Sequence, residues 1–294
     1  MRVTSQMIVN QAIANMNQSA DRLTQLQNRA ATGKQFQNAS DDPLRAATSL
    51  TLRSTMSRND GTLTALQTTG DWLDATDLAL QQMEDLGTQA QTLAKQGLSD
   101  TEGVDERQAL GEQIDSLLQE AVNTADSTQN GQYLFAGFQV NTSPYTYAVG
   151  GTVTNNVAST AGPIQHSLGS GQTLTVNIDG NATFSPLFTA LANARDALEA
   201  NDPNALQTAL TSLATAADGV STARSLNGAR SQQVTQVVSQ LNQTQTALQS
   251  VLSQNEDADM AQTLSLLSEQ QTVYQASVQV GSRALSTTLF DFLK

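Results

Sequence analysis

The chain has 294 residues, of which 38% are hydrophobic and only 4% aromatic, which is a thin supply of core side chains for one compact globule. Its net charge of −13 comes from 27 acidic against 14 basic residues, which argues against nucleic acid and against an anionic membrane as partners. The absence of cysteine excludes disulfides, thiolate nucleophiles and sulfur-ligated metals. These counts favour an elongated protein stabilised by helix packing or assembly, and they predict no cofactor.

The sequence also gives no sign of a membrane-spanning or secretory segment. No apolar run approaches the length of about 18 residues that a transmembrane helix requires. The opening residues, MRVTSQMIVNQAIAN, lack the apolar core and the small-residue cleavage site of an ordinary signal peptide. We therefore expect no membrane span and no cleaved signal.

Both ends of the chain carry narrow stripes of apolar side chains at alternating steps of three and four residues, over 1–31 and over 264–292. This spacing is typical of a coiled-coil seam. A narrow stripe needs cover from another helix, and the simplest cover is the other terminus. We predict that the terminal helices pair and that their stripes form an assembly interface, composed of Val9, Ala12, Met16, Leu23, Leu26, Leu264, Leu267, Tyr274, Val278, Leu285 and Phe292.

A helix start is predicted directly after the first stripe, which stops at Gly33. Asp42 supplies a side-chain oxygen for the free amides of a first helical turn, and Pro43 supplies a preset φ without an amide hydrogen. Asp42 and Pro43 are therefore predicted to form a helix cap. Asp202 and Pro203 repeat the same pair later in the chain.

The segment from Pro43 to about Gly97 has the pattern of one long helix. Glycines at 61, 70 and 87 each cost about 1 kcal/mol relative to alanine, so a bend or break within it is possible. A shorter helix is predicted over about 105–127, after a glycine-containing loop. It should fold back antiparallel onto the long helix.

The composition then changes, because eight of the 18 glycines lie between Gly131 and Gly180. This indicates a β-rich insertion over 142–185, whose best strand is predicted from Thr173 to Ile178 and ends in a turn at Asp179 and Gly180. After Pro186 the helical pattern returns, in short pieces up to Asp218 and then in one longer helix.

The predicted fold class is mainly α. We expect an elongated antiparallel bundle of long helices, with the N- and C-terminal helices paired as a coiled coil and a small β-rich domain inserted. The predicted domains are a terminal coiled coil (1–40 with 255–294), a helical rod (41–141 with 186–254) and the variable β-rich insertion (142–185).

Residues able to support catalysis or metal binding are few. The single histidine, His166, lies in the glycine-rich insertion and is predicted to be an exposed loop residue. Acidic side chains are grouped at 41–42, 84–85 and 256–259, where helix capping and solvated faces explain them better than acid–base chemistry or calcium binding. We therefore predict no catalytic, cofactor-binding or metal site.

Three segments are more specific than heptad spacing. Ala31 to Leu50, ATGKQFQNASDDPLRAATSL, joins a Gly-Lys step to a polar turn and to an acidic pair that opens a helix. The second segment is NGQYLFAGFQVNTSPY, at 130–145, where the helical pattern gives way to the predicted variable region. The third is the last 40 residues of the sequence, which open with NEDADM before the heptads and end on aromatic residues. Together they resemble the conserved signatures of the flagellin superfamily, which includes flagellins and hook-associated proteins. YLFAG, at 133–137, is most similar to the members at the hook–filament junction.

The resemblance implies a non-enzymatic structural subunit of the bacterial flagellum that joins a hook-associated protein to the flagellin filament. It implies a ring of identical subunits, with the neighbouring hook-associated protein, flagellin and an export chaperone as partners. It further implies secretion through the flagellar export channel without a cleaved signal. A small filament-forming flagellin and a cytoplasmic coiled-coil adaptor remain as alternatives, while an enzyme in the β insertion lacks a credible nucleophile and base.

Overall fold

The computed structural model describes residues 2–99, 103–148, 151–157, 162–169 and 171–292. These ranges contain six helices: α1 (Arg2–Thr32), α2 (Pro43–Gly97), α3 (Val104–Ala125), α4 (Gly180–Glu199), α5 (Pro203–Glu256) and α6 (Met260–Phe292). Short strands occupy the segment between α3 and α4. The predicted fold class, mainly α with long helices and a small β-rich insertion, is confirmed.

The chain divides into two compact units. The terminal unit comprises Met1–Arg58 with Gln243–Lys294 and contains α1, α6, the start of α2 and the end of α5. The central unit comprises Asn59–Asn242. No helix within the described ranges has an apolar run long enough to cross a bilayer.

The central unit contains the main hydrophobic core, which α2, α3, α4 and α5 build together. Its largest members have almost no exposed surface, as with Met83, Ile114 and Phe184. Gly87 of α2 is buried here, and a Cβ added to it would make ordinary van der Waals contacts of 3.7 Å with Ala217 and Leu187. The glycines of α2 do not break the helix, since it runs unbroken from Pro43 to Gly97.

The prediction of short helical pieces up to Asp218 is wrong, because α5 is one helix from Pro203 to Glu256. The buried apolar positions of its first five turns recur at steps of three and four and join the main core: Leu206, Ala209, Leu213, Ala216 and Val220. Alternate members of this stripe are alanines, which made the apolar face hard to recognise.

The segment between α3 and α4 forms three antiparallel hairpins. Their strands are β1 (Thr128–Gln129), β2 (Gln132–Tyr133), β3 (Tyr145–Ala148), β4 (Thr152–Asn155), β5 (Gln165–Gly169) and β6 (Gln172–Thr175). In the first hairpin the two turn residues, Asn130 and Gly131, have φ of 53° and 78°, as a type I′ turn requires.

The hairpins share the cores of the central unit. Phe135 packs edge-on against Phe184 of α4 with ring centroids 4.7 Å apart, and Tyr145 packs against Phe188 at 5.1 Å. A second cluster joins Leu66, Leu73 and Val234 of the long helices to strand residues Leu168 and Leu174. The division that treats 142–185 as a domain of its own stays a prediction.

The predicted strand Thr173 to Ile178 is too long, because β6 ends at Thr175. Asp179 and Gly180 do not form a hairpin turn. The Asp179 carboxylate accepts a hydrogen bond of 3.1 Å from the Ala182 amide and caps α4, which begins at Gly180. The Asp-Gly pair therefore starts a helix, and Pro186 lies inside it.

Candidate assembly surface

The terminal unit is built on the antiparallel pairing of α1 with α6. Where α1 ends and α6 is about to begin, the Ala258 amide donates to the Gly33 carbonyl at 2.8 Å. Further along the pair, a Cβ added to Gly281 would lie 3.3 Å from the sulfur of Met16, so a glycine at 281 lets the helices approach closely. The Gln270 amide donates to the Ser19 hydroxyl at 2.8 Å and to its carbonyl at 3.2 Å.

All five predicted interface residues of α1 are half-buried, namely Val9, Ala12, Met16, Leu23 and Leu26. On α6, Leu267 and Tyr274 are half-buried as well. Leu264 and Val278 point away from α1, with 53% and 41% of their surface exposed. Leu285 and Phe292 belong to α6, but their side chains lie outside the described residues.

The face of α6 turned to α1 is more polar than the sequence suggested. Its covered positions are Thr263, Leu267, Gln270, Tyr274, Ser277 and Gly281. Thr263 is buried, and its hydroxyl donates to the Asp259 carbonyl at 2.7 Å, so its polar atom has a partner. Thr263 and Ser277 thus lie on the covered face where Leu264 and Val278, each one residue further along the chain, were predicted. Leu264 and Val278 remain available for contacts outside this pair of helices.

Exposed apolar side chains are concentrated in the terminal unit. Of fifteen large hydrophobic residues that are exposed among those described, eleven belong to it. They are Met7, Ile13, Leu44, Leu50, Val251, Met260, Leu264, Leu266, Val273, Val278 and Val280. Single exposed apolar residues are ordinary, but so many in one unit make the terminal unit the candidate assembly surface.

A polar joint ties the end of α1 to the start of α6. Lys34 and Asp257 face each other in an isolated antiparallel bridge, and the Lys34 ammonium lies 2.6 Å from the Asp257 carboxylate. The hydrogen bond with Asp257 raises the pKa of Lys34, and the same bond lowers the pKa of Asp257. The Gln35 amide donates to the Glu256 carbonyl at 2.7 Å. Gly33, with a φ of +68°, provides the turn that leads into this joint.

Glu256 lies at the centre of the joint and is 6% exposed. Its carboxylate accepts hydrogen bonds of 2.7 to 3.1 Å from the Arg53 guanidinium and lies 3.3 Å from the Lys34 ammonium. The bonds from Arg53 lower the pKa of Glu256 most. Asn255 adds bonds to the Arg45 carbonyl at 2.9 Å and to the Ser49 hydroxyl at 2.8 Å. The interpretation of Glu256 as a helix-capping or solvated acid is wrong, because it is buried between basic side chains. Sequence reasoning did not select its partners Lys34 and Arg53, although they lie in or near the motif at 31–50.

Both helices that leave the joint begin at an aspartate. The Arg45 amide donates to the Asp42 carboxylate at 3.1 Å, so Asp42 occupies the cap position directly before Pro43. The Gln262 amide donates to the Asp259 carboxylate at 3.0 Å in the same way. The neighbouring Asp41 accepts from the loop amides of Gln37 and Asn38. These acids thus have structural partners.

The other chemically suggestive residues also have structural surroundings. His166 is a half-buried residue of β5, not the exposed loop residue predicted, and its Nδ1 lies 2.7 Å from the Thr69 hydroxyl. Burial lowers the pKa of His166. Glu84 binds Arg224 at 2.7 Å. Within the described ranges, no three His, Cys, Asp or Glu side chains are grouped closely enough to hold a metal ion.

Comparison with known proteins agrees with the two terminal helical regions. Residues 3–140 match the bacterial flagellin N-terminal helical region, and residues 210–293 match the bacterial flagellin C-terminal helical region. The two matches together cover about three quarters of the chain. The chain belongs to the flagellin family.

Within this family the chain is similar to proteins named flagellar hook-associated protein 3. It is 27% identical over 152 residues to that of Salmonella typhimurium, covering 51% of this chain and 48% of the relative. The Escherichia coli protein gives 27% over 146 residues, 49% of this chain and 46% of the relative, so the chain spans about half the length of these curated relatives. The crystal structure of Bacillus cereus FlgL has a TM-score of 0.61 at 22% identity, covering 69% of this chain and 99% of that chain, which is a likeness of fold.

Proposed function

We propose that this chain is a structural subunit of the bacterial flagellum, placed between a neighbouring hook-associated protein and the flagellin filament in a ring of identical copies. The observation that carries the proposal is the concentration of exposed apolar side chains on the terminal unit, most of all on α6. These side chains gain burial only when another subunit covers them. The similarity to proteins named hook-associated protein 3 supports the junction over other positions in the flagellum.

The terminal unit suits a subunit that becomes fully ordered on assembly. Its paired helices cover each other along one face, while apolar residues on their other faces are exposed until another subunit covers them. Folding of such segments is coupled to binding, and the extended form suits passage through a narrow export channel. We therefore place the protein outside the cell, exported without a cleaved signal, with an export chaperone covering the stripes before secretion.

The subunit catalyses no reaction in this proposal. Support comes from the partners that the acidic groups of the joint already have, since Glu256 and Asp257 are both engaged by basic side chains. A groove of about 710 Å³ along α4 and α5 is lined by no ionisable side chain. A cleft of about 320 Å³ is lined by Tyr145, Arg195 and Asp196, and there the Arg195 guanidinium is bound by the carboxylates of Asp115 and Asp196. An acid–base or nucleophilic mechanism would need a nucleophile and a base together in one cleft.

The test is deletion of the gene, followed by microscopy of the cells and detection of flagellin in the medium. A junction subunit predicts hooks without filaments and flagellin lost to the medium, both reversed by the full-length gene. Normal filaments on the deleted cells would contradict the proposal. Recovery of the protein with flagella sheared from cells distinguishes it from a cytoplasmic adaptor.

A small filament-forming flagellin is the second candidate, because both matching family regions are those of flagellin. Electron microscopy of the purified full-length chain separates the two. A flagellin predicts long filaments formed by this chain alone, whereas a junction subunit predicts none.

A further inference from the structure

The central unit has an apolar surface of its own, at a groove between α5 and the β5–β6 hairpin. Among its described residues only four large hydrophobic side chains are exposed, and Phe138 and Leu226 are two of them. The Phe138 ring lies directly against Gly162, where an added Cβ would overlap it. Gly162 and Leu226 both line the groove, which has a volume of about 380 Å³. Phe138 and Leu226 therefore flank the same groove.

Hydrogen bonds of Asn177, which is 7% exposed, hold one wall of this groove together. Its side-chain amide donates to the Gly162 carbonyl at 3.0 Å, and its side-chain oxygen accepts from the Ile164 amide at 2.8 Å. The Val176 amide donates to the Ile164 carbonyl at 2.9 Å. The segments on this side of the groove are thus tied together before any ligand binds.

Arg230 of α5 lines the groove with a charge that no carboxylate balances within the described ranges. Its Nη1 donates to the Asn177 carbonyl at 2.9 Å, so most of its N–H donors remain available for a ligand. By contrast, Arg53, Arg195 and Arg224 each bind a carboxylate. Burial lowers the pKa of Arg230, and no acidic neighbour offsets this. The guanidinium is therefore partly desolvated without a counter-charge.

This groove fits a single carboxylate that is attached to apolar groups. A guanidinium binds a carboxylate through two parallel N–H bonds, which gives the contact direction as well as strength. Phe138 and Leu226 then cover apolar groups next to that carboxylate. Asp179 is the one acid among the described residues that line the groove, and its carboxylate already accepts from the Ala182 amide. The net charge of −13 disfavours a polyanion such as nucleic acid.

We propose that this groove binds a segment of another protein in which one acidic side chain stands between apolar residues. A small free acid would need an enclosed pocket, because small ligands bury most of their surface. Here Arg230 is only half-buried, and Phe138 and Leu226 are 60% and 49% exposed, so the apolar surface extends beyond the groove. The groove belongs to the central unit, so the proposal goes beyond the proposed function and does not rest on the terminal assembly surface.

Titration of the purified full-length chain with a short peptide tests the proposal. The ligand is acetyl-Leu-Glu-Leu-amide, the control is acetyl-Leu-Gln-Leu-amide, and the readout is the NMR signal of each arginine Nε in a chain labelled with nitrogen-15 at arginine. We expect a saturable shift of the Arg230 signal, which Arg230→Lys identifies by its loss. The glutamine peptide should bind about tenfold more weakly. The signals of Arg195 and Arg224, which already have carboxylate partners, should not move.

Three variants make the result specific to this groove. Leu226→Glu places a carboxylate four residues before Arg230 on the same helix, where the two can pair, so it should abolish peptide binding. It should also melt at a higher temperature than Leu226→Gln, which has no charge and should keep measurable binding. Lys95→Gln removes an exposed cation elsewhere in the central unit and should bind the peptide like the unsubstituted chain.

Three outcomes would overturn the proposal. They are equal binding of the two peptides, no shift of the Arg230 signal at millimolar peptide, and binding by Leu226→Glu as tight as binding by Leu226→Gln. Circular dichroism confirms that each variant keeps its helical content. Because the purified chain is used, the result does not depend on whether the chain is incorporated into flagella, and failure of the proposed function would be distinguished from failure of this groove.

Discussion

The terminal and central units differ in where they keep their apolar side chains. Among the residues whose burial is described, Ala46 is the single buried hydrophobic residue of the terminal unit, whereas the central unit holds all the others. The terminal unit instead buries polar groups, such as Glu256 and Ser19. The central unit thus carries its own apolar core, while the terminal unit leaves most of its large apolar side chains exposed.

Truncation of the terminal unit should have the largest effect on assembly. Removal of residues 265–294 takes away most of α6 and should abolish incorporation into flagella, because α1 then loses its partner helix. The central unit should unfold at an unchanged urea concentration. Fluorescence of Trp72, the only tryptophan, reports that unit alone. Filaments of normal length from the truncated protein would show that the terminal pair does not carry assembly.

A core substitution in the central unit should have the largest effect on folding stability. Phe184 has no exposed surface and packs against Phe135, so Phe184→Ala should cost about 3–5 kcal/mol of unfolding free energy. Urea denaturation followed by Trp72 fluorescence measures it. Leu264→Ala, at a position that is 53% exposed in the terminal unit, is the matched control and should change the transition by less than about 0.5 kcal/mol.

The polar joint should contribute less unfolding free energy than the Phe184 side chain, and it should stabilise only the terminal unit. Glu256→Gln removes the charge that binds Arg53 and Lys34, and the loss of charged hydrogen bonds should cost about 1.5–3 kcal/mol. The measurement is the helical circular dichroism of the terminal unit on heating, with Trp72 fluorescence expected to be unaffected. Glu269→Gln, on an exposed part of α6, should show neither effect. If Glu256→Gln and Glu269→Gln respond identically, the polar joint does not stabilise the terminal unit.

Acidification should weaken the polar joint of the terminal unit. Folding lowers the pKa of Glu256, chiefly through Arg53, below its ordinary 4.5, so the ionised carboxylate favours the folded state. This contribution is present above pH 4.5 and is lost as the pH falls through the lowered folded pKa. The circular dichroism of the terminal unit should therefore weaken in that range, and less so in Glu256→Gln. If the unsubstituted chain and Glu256→Gln show the same pH dependence, groups other than Glu256 cause it.

The smallest effect is expected at the start of α2. Asp42→Ala removes the acceptor of the Arg45 amide and should cost about 1 kcal/mol, whereas Asp42→Asn keeps a capping oxygen and should cost much less. Thermal unfolding by circular dichroism compares the two. If alanine and asparagine behave alike, the cap is not the source of stability there.

Local chemistry made the helix boundaries predictable. The Asp-Pro pairs at 42–43 and 202–203 each precede a helix start, and Gly97 ends α2 as expected. The register of α6 was harder to predict because its covered face includes Thr263, Gln270 and Ser277, while leucines and valines face outward. Where apolar side chains face outward, hydrophobicity does not identify the face of a helix that is buried within one chain.

Long-range polar contacts could not be predicted from periodicity. Lys34 and Asp257 are 223 residues apart and meet through a backbone bridge that follows no heptad. Lys34 lies in the first and Asp257 in the last of the three segments that resemble the flagellin superfamily, but the resemblance does not show that the segments touch. The β hairpins were recognised by composition, whereas their packing on α4 depended on pairs such as Phe135 and Phe184.

The separation of Lys34 from Asp257 also sets the order in which the chain can fold. Closing a flexible loop of 223 residues costs about 5 kcal/mol in chain entropy, which a few polar contacts do not offset by themselves. Folding of Asn59–Asn242 removes most of that loop, and contacts such as the hairpins and the packing of α3 on α4 link residues much closer in sequence. When the N-terminus of the chain emerges first, we therefore expect the central unit to fold before α1 pairs with α6.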